Sequence, residues 1–157
     1  MIKEYETKLG SVKIDTERTI IFEYGIPGFE DLKQFVLLEP EDTYPIMWLA
    51  SLEDKKVAFP VTFPQLIRND YQFALPQDLT EYLELEKSED AIILSILTIP
   101  EKEDEITINL AAPIIISQKN HKGVQYLIEN EEYKIRHLLK EELERSNAIL
   151  SVQKDGE

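Results

Sequence analysis

The sequence contains no cysteine among its 157 residues. This absence excludes a disulfide framework, a thiolate zinc site and a cysteine nucleophile, and it is typical of proteins from reducing compartments. Positive charge is also scarce, since 17 lysines and arginines stand against 31 aspartates and glutamates, giving a formal net charge of −14. A chain of this charge repels phosphate groups, so we expect no direct binding to nucleic acid.

Long apolar runs and catalytic motifs are missing as well. The first ten residues hold no apolar stretch of the signal-peptide kind, and the longest largely apolar run, AIILSILTIP, is too short to span a bilayer. Motifs for dinucleotide or phosphate binding, zinc proteases and serine hydrolases are absent. Nothing indicates that His121 and His137 meet as a metal pair. We therefore expect a cytoplasmic protein with no cofactor, no metal and no membrane segment.

The hydrophobic residues that are present occur in short runs with a period close to two, which is typical of β-strands. Pro60, in VAFPVTFP, cannot donate a ladder hydrogen bond and predicts an edge strand or a bulge. AIILSILTIP and EITINLAAPIIISQ indicate two strands joined by the acidic turn PEKEDE, with Pro113 dividing the second. In the turn KNHKGVQ, Gly123 suits a positive φ. These patterns predict a mainly β fold, either a small antiparallel β-barrel or a barrel-like sandwich.

Helix signals are few. LPQDLTEYLEL predicts one short helix with Asp78 as its N-cap, and RHLLKEELERSN predicts a second. We therefore expect one or two short helices beside the strands. The chain is predicted to be a single domain over residues 1–140, followed by a C-terminal extension over 141–157 that is either helical or frayed.

The segment GIPGFE, residues 25–30, raises the choice between a phosphate-binding loop and a corner between strands. A phosphate loop needs glycines ahead of a helix, whereas strand-like residues flank this segment and Glu23 and Glu30 add negative charge. The corner is favoured: Ile26–Pro27 presets a turn, and Gly28 supplies the positive φ. Phe29 then either fills the end of the barrel or stays exposed, and we favour filling.

Negative charge is concentrated in residues 81–110, which hold nine acidic residues against Lys87 and Lys102. Their balance of −7 is half of the net charge of the whole chain. An even, solvated acidic surface would not be concentrated in this way, so we predict a local acidic face that attracts a positively charged partner.

Aromatic residues and prolines lie close together between residues 48 and 71. Trp48, Phe59, Phe63 and Tyr71 are either ordinary core residues or part of a surface for a protein partner. An unpaired strand edge beside them would also accept a partner strand. The residue pattern alone leaves both interpretations open.

The ordered set F-E-Y-G-I-P-G-F-E, P-I-M-W-L-A-S-L and A-F-P-V-T-F-P resembles the flagellar assembly factor FliW family. The later P-E-K-E-D-E-I-T-I-N-L-A-A-P-I-I-I and N-H-K-G-V-Q-Y are similar too, so the resemblance covers nearly the whole chain short of its tail. It implies a small β-barrel protein without enzymatic activity and with two protein partners, flagellin and the RNA-binding translational regulator CsrA. It also implies that FliW, freed when flagellin is exported, captures CsrA and relieves its block on flagellin mRNA translation.

An acidic surface suits this implied role, because CsrA-type regulators are basic. Acidic side chains docked near an RNA site would repel phosphates without occupying that site, a non-competitive mechanism. The candidate acidic group is Glu101, Glu103, Asp104 and Glu105. The candidate contact residues are Phe59, Pro60, Phe63 and Pro64 for apolar docking, with Arg68 and Asn69 as polar anchors.

Two rival hypotheses remain open at this point. The first is a small β-barrel hydrolase in which paired carboxylates act on a neutral substrate such as a glycan. The second is a structural acidic domain with no regulatory role.

Overall fold

The computed structural model describes the backbone of residues 1–155, with the side chains of all of these except Glu103 and residues 148–155. Within this range the chain forms eleven strands and three α-helices. The strands are β1 (Ile2–Thr7), β2 (Gly10–Asp15), β3 (Ile20–Ile21), β4 (Gln34–Leu38), β5 (Met47–Ser51), β6 (Ala58–Thr62), β7 (Ala91–Thr98), β8 (Thr107–Ile108), β9 (Ile114–Ser117), β10 (Gly123–Gln125) and β11 (His137–Leu138). The helices are α1 (Pro64–Ile67), α2 (Gln77–Tyr82) and α3 (Leu139–Asp155).

Nine strands form one antiparallel sheet in the order β10-β9-β7-β6-β5-β4-β3, with β8 pairing to β7 and β11 to β8. The two ends of this order meet where the N–H of Ile21 donates to the carbonyl of His121 at 3.0 Å. Because this contact is an isolated bridge in the described residues and not a ladder, the sheet is barrel-like without being a closed barrel. The prediction of a mainly β, antiparallel, barrel-like fold is confirmed.

The alternation of side chains along each strand builds the core on both faces of this sheet. On β4, Phe35 and Leu37 face the interior of the barrel, whereas Val36 and Leu38 face outward. The hairpin of β1 and β2 covers that outer face, where Ile14 packs against Val36. Strands with two buried faces need continuous apolar runs, which explains stretches such as IIIS in β9.

Pro60 does not make β6 an edge strand, which was one of the two alternatives that the sequence predicted. β6 lies between β5 and β7, but its pairing with β7 covers only Val61 and Thr62. Residues 58–60 therefore pair with β5 alone. The backbone N and C=O of Pro60 face the same edge as those of Thr62, which is the edge towards β7. Its missing N–H consequently leaves the ladder with β5 intact.

The turn in GIPGFE forms as predicted. Gly28 has a φ of +89°, and the N–H of Phe29 donates to the carbonyl of Ile26 at 2.7 Å. The residue that fills the barrel interior is Ile26, which is 2% exposed, whereas Phe29 stays 38% exposed and packs edge-to-face on Phe59. Phe29 was the wrong choice of core residue, because the turn directs Ile26 inward.

The prediction that Gly123 adopts a positive φ is also wrong. The left-handed residue of that turn is His121, with a φ of 59°, and Gly123 has no positive φ. A Cβ at Gly123 would lie 2.6 Å from the ring of Phe22. Glycine is therefore required there for the close approach of a buried aromatic ring, not for its backbone conformation.

The helices partly match the prediction. Pro76, and not Asp78, is the N-cap of α2, while the carboxylate of Asp78 accepts from the N–H of Leu79 within the first turn. α1 and α2 are short, but α3 has 17 residues and is longer than expected. It runs through the predicted C-terminal extension as far as Asp155, and residues 156–157 lie outside the described residues. The division at residue 140 stays a prediction.

Candidate protein-binding surfaces

The apolar residues predicted to contact a partner lie on β6 and at the start of α1. The ring of Phe59 packs edge-to-face on Phe29 with the ring centres 5.0 Å apart. Phe59, Pro60 and Phe63 are half-buried, and Pro64, the first residue of α1, is buried. These side chains thus belong to the core on one side and reach the surface on the other.

Phe63 and Pro64 border a cavity of about 420 Å³, called here the inner cavity, whose opposite wall is the start of β7. A second cavity of about 380 Å³, the outer cavity, adjoins it and is lined mainly by apolar side chains, among them Tyr71, Phe73 and Leu75. Together they form an apolar depression beside α1, which suits a partner's side chains better than a polar small molecule.

Arg68, predicted as a polar anchor for a partner, is instead a buried cation. It is 7% exposed at the end of α1. Carboxylates of Asp70, Glu132 and Glu142 lie 3.4, 3.6 and 3.8 Å from its guanidinium nitrogens, and its Cζ sits 5.0 Å from the ring centre of Tyr133. A buried charge needs such compensation, so Arg68 organises the interior beneath α3.

Helix α3 is fastened to the turn that follows α1. The hydroxyl of Ser146 donates to the carbonyl of Ile67 at 2.8 Å and accepts from the N–H of Asn69 at 3.3 Å. Arg145 makes two hydrogen bonds of 2.9 Å to Asp70, and these lower the pKa of that carboxyl to about 2. The backbone of Asn69, the other predicted anchor, thus contacts α3, although the residue itself is exposed.

His137 and Glu142 form the buried end of the same cluster. The N–H of Lys134 donates to Nε2 of His137 at 2.7 Å, so this nitrogen carries no proton. Nδ1 then carries it and donates to Oε1 of Glu142 at 2.9 Å. The other oxygen of Glu142 is buried and has no hydrogen-bond partner among the described side chains. The side chain of Glu142 is therefore held between His137 and Arg68 beneath the helix.

The acidic turn between β7 and β8 lies beside α3. Glu101, Asp104 and Glu105 are exposed, and the side chain of Glu103 lies outside the described residues. Asp104 borders a cavity of about 460 Å³ whose other residues belong to α3, including Leu143, which is 38% exposed. Asp104 and the exposed Leu143 therefore border one surface, and Glu101 and Glu105 are exposed in the same turn as Asp104.

The predicted single acidic face is in fact divided in two. Residues 81–90 precede β7 and residues 101–105 follow it, and at about 3.3 Å per residue this eight-residue strand separates them by roughly 23 Å. Asp90 is also withdrawn from the surface, since it is buried and accepts hydrogen bonds from the N–H groups of Glu86 and Lys87. These bonds lower the pKa of Asp90.

The described residues contain neither a metal-binding cluster nor a membrane-spanning helix. No group of three or more histidine, aspartate or glutamate side chains is placed there to hold a metal ion. Among the helices within residues 1–155, none has both the length and the apolar character needed to cross a membrane.

Comparison with known proteins gives a consistent result. The family model described as FliW protein matches residues 3–139. A protein of Thermotoga maritima named "Flagellar assembly factor FliW" is 50% identical over 147 residues, which cover 93% of this chain and 99% of the relative. A relative of the same name from Pseudothermotoga lettingae is 44% identical over 153 residues, 97% of each chain.

A solved structure agrees with these sequence matches. The crystal structure of a flagellar assembly factor FliW superposes with a TM-score of 0.82 at 33% identity, covering 87% of this chain and 96% of that one. The likeness therefore extends over most of the chain.

Proposed function

The chain belongs to the FliW family, and from this premise we propose that it is a non-enzymatic regulator of flagellar assembly with two protein partners. One partner is flagellin, and the other is a CsrA-type RNA-binding regulator. When flagellin leaves, the freed chain binds the regulator and antagonises it, which relieves repression of flagellin mRNA translation.

The observation that carries the regulator-binding part of this proposal is the surface formed by the β7–β8 turn and α3. Asp104 borders the same cavity as the exposed Leu143, and Glu101 and Glu105 are exposed in the same turn. Charge of this sign accelerates encounter with a basic protein, and a neighbouring apolar side chain adds contact area that salt does not screen.

The same surface supports a non-competitive mechanism. At an effective dielectric constant of about 20 and a separation of about 10 Å, each carboxylate–phosphate pair costs roughly 1–2 kcal/mol before salt screening. Several carboxylates held near the RNA site of a bound regulator therefore lower its affinity for RNA while that site stays open.

Charge reversal tests this proposal. The triple variant Glu101→Lys, Asp104→Lys, Glu105→Lys is compared with a matched control, Glu39→Lys, Glu41→Lys, Asp42→Lys, which reverses three exposed acids in the β4–β5 connection. Binding to a purified CsrA-type protein is followed by size-exclusion chromatography at low and high salt, and RNA release by fluorescence anisotropy. We expect the first variant to lose RNA release and the control to retain it.

Competition tests the second partner. Flagellin is titrated into the preformed complex with the regulator, and displacement is followed by the same chromatography. We expect the regulator to be released. Equal RNA release by the two triple variants, or binding of neither partner by the unmodified chain in dilute buffer, contradicts the proposed function.

A further inference from the structure

Strand β7 is paired along one edge but open along part of the other. The carbonyl of Asp90 accepts from Gln118, and that of Ile96 accepts from Asn109, so both point towards β9 and β8. Successive residues of a strand direct their N–H and C=O groups to opposite edges. The backbone groups of Ala91 and Ile93 therefore point to the edge where β6 lies.

β6 does not reach these residues. Its pairing with β7 covers only Ser95 and Ile96, after which the chain turns away into α1 at Pro64. The N–H of Ala91 donates to the carbonyl of Ser88. The carbonyl of Ala91 and both backbone groups of Ile93 have no hydrogen-bond partner among residues 1–155. Three hydrogen-bonding groups are thus available in a gap between β7 and α1.

The inner and outer cavities meet at this gap and share four lining residues, Gln65, Ser88, Ala91 and Ile93. The inner cavity is lined in addition by Ile92, which lies on the other face of the strand. Ile92, on the side of the inner cavity, packs with Phe63 in the barrel interior, whereas Ile93 packs with Phe73 on the other face. Successive side chains of an added strand would point alternately to the face of Ile92 and to the face of Ile93, and both faces border cavity space.

The rim of the gap is acidic. Residues 81–90 carry five acidic residues and one lysine, and Glu86 and Glu89, which line the cavities, are exposed. Lys119, 2.9 Å from Glu86, compensates part of this charge. The remaining negative potential favours a segment with lysine or arginine at its ends.

We propose that a short extended peptide segment with apolar side chains and basic flanks adds to β7 as a strand at Ile93. It forms three backbone hydrogen bonds, two with Ile93 and one with the carbonyl of Ala91, and fills both cavities. This mode of binding is strand addition to an exposed sheet edge. The inference goes beyond the proposed function, because it requires neither flagellin nor a CsrA-type protein.

Amide hydrogen exchange followed by NMR tests the open edge directly. In the free chain, we expect the amide of Ile93 to exchange at least about 100-fold faster than those of Ile92 and Leu94, which are bonded to β9. Adding the acetylated and amidated peptide KKVIVIKK slows exchange at Ile93 and leaves its two neighbours unchanged. Equal exchange at the three residues in the free chain, or no slowing by the peptide, overturns the proposal.

Isothermal titration separates strand addition from unspecific attraction. N-methylation of the four central peptide amides removes the donors to β7 and lowers the affinity at least about tenfold. The variant Glu86→Gln, Glu89→Gln weakens binding, whereas the matched control Glu39→Gln, Glu41→Gln does not. Equal affinity of the two peptides overturns the proposal, as does a dimer of the free chain that already protects Ile93.

The two proposals fail separately. A chain that binds flagellin and the regulator but not the peptide refutes only the strand addition. A chain that binds the peptide but neither protein refutes only the proposed function.

Discussion

Arg145 and Asp70 are joined by two parallel hydrogen bonds, Nη1 to Oδ1 and Nη2 to Oδ2, each 2.9 Å long. Arg145 lies in the middle of α3, and Asp70 lies in the turn after α1. This bidentate pair, together with Ser146, holds the C-terminal helix against the barrel. The turn after α1, which holds the candidate contact residues Arg68 and Asn69, and the C-terminal helix α3 are therefore one structural unit.

Removal of this pair should destabilise the protein modestly. Because both side chains are partly exposed, we expect Arg145→Leu to lower the free energy of unfolding by about 1 kcal/mol. Urea unfolding followed by circular dichroism measures the change. Arg136→Leu removes an exposed arginine from the neighbouring strand region and should change stability by less than about 0.5 kcal/mol. Equal effects of the two substitutions would contradict the assignment.

The same pair predicts a dependence on pH. The Arg145 guanidinium lowers the pKa of Asp70 to about 2 in the folded protein from its usual 3.8, so folding favours its ionised form. Its contribution is complete above pH 3.8 and disappears as the pH falls through about 2. The stability difference between the unmodified chain and Asp70→Asn should therefore shrink between pH 4 and 2. A difference that stays constant over this range would refute the role given to Asp70.

Arg68 should matter more than Arg145, because it is buried among three carboxylates. Arg68→Met leaves Glu142 buried without its cation, and we expect a loss of about 3 kcal/mol in the free energy of unfolding. The double variant Arg68→Met, Glu142→Gln removes both charges and should recover part of this loss. If the double variant is as unstable as the sum of the two single variants, the charges are not coupled.

Replacement by alanine should cost different amounts of stability at Gly123 and at Gly28. Gly123→Ala places a Cβ 2.6 Å from the ring of Phe22 and should destabilise by about 2 kcal/mol through overpacking. Gly28→Ala meets no atom within 4 Å and is strained only by its φ of +89°, at a cost of about 1 kcal/mol. Phe22→Leu should relieve the first substitution and leave the second unaffected. Thermal unfolding of the single and double variants tests this.

The features that were predictable from sequence are those in which local chemistry dictates the backbone. Pro113 divides β8 from β9, and Pro27 with Gly28 forms the corner, because proline and glycine restrict or widen φ at their own positions. The fold class was predictable because apolar residues recur with a period of two, which follows from the alternation of side chains along a strand. The division of the acidic segment follows from the length of β7, which places residues 81–90 and 101–105 at opposite ends of the strand.

The cluster beneath α3 could not be predicted in the same way. Its buried face carries Glu142 and Ser146, four residues apart, so a search for an apolar stripe overlooks it. The spacing of these polar residues was the available signal, but only the fold brings Arg68 and His137 against them. Likewise, the position of Phe29 was missed because the direction of a turn decides which of two neighbouring side chains enters the core.

The meeting of the first and last strands at Ile21 and His121 has a mechanical consequence. Elsewhere neighbouring strands are joined by ladders of two or more paired residues, whereas this junction in the described sheet is an isolated bridge, supported by the ion pair of Lys122 and Glu23 at 3.5 Å. This junction therefore has fewer backbone hydrogen bonds than the long ladders between β4, β5 and β6, and local opening is expected to be easier there. Transient opening of the barrel is therefore expected to start at this junction. It would expose the buried side chains of Ile20 and Phe22 to water while the strands on the opposite side stay paired.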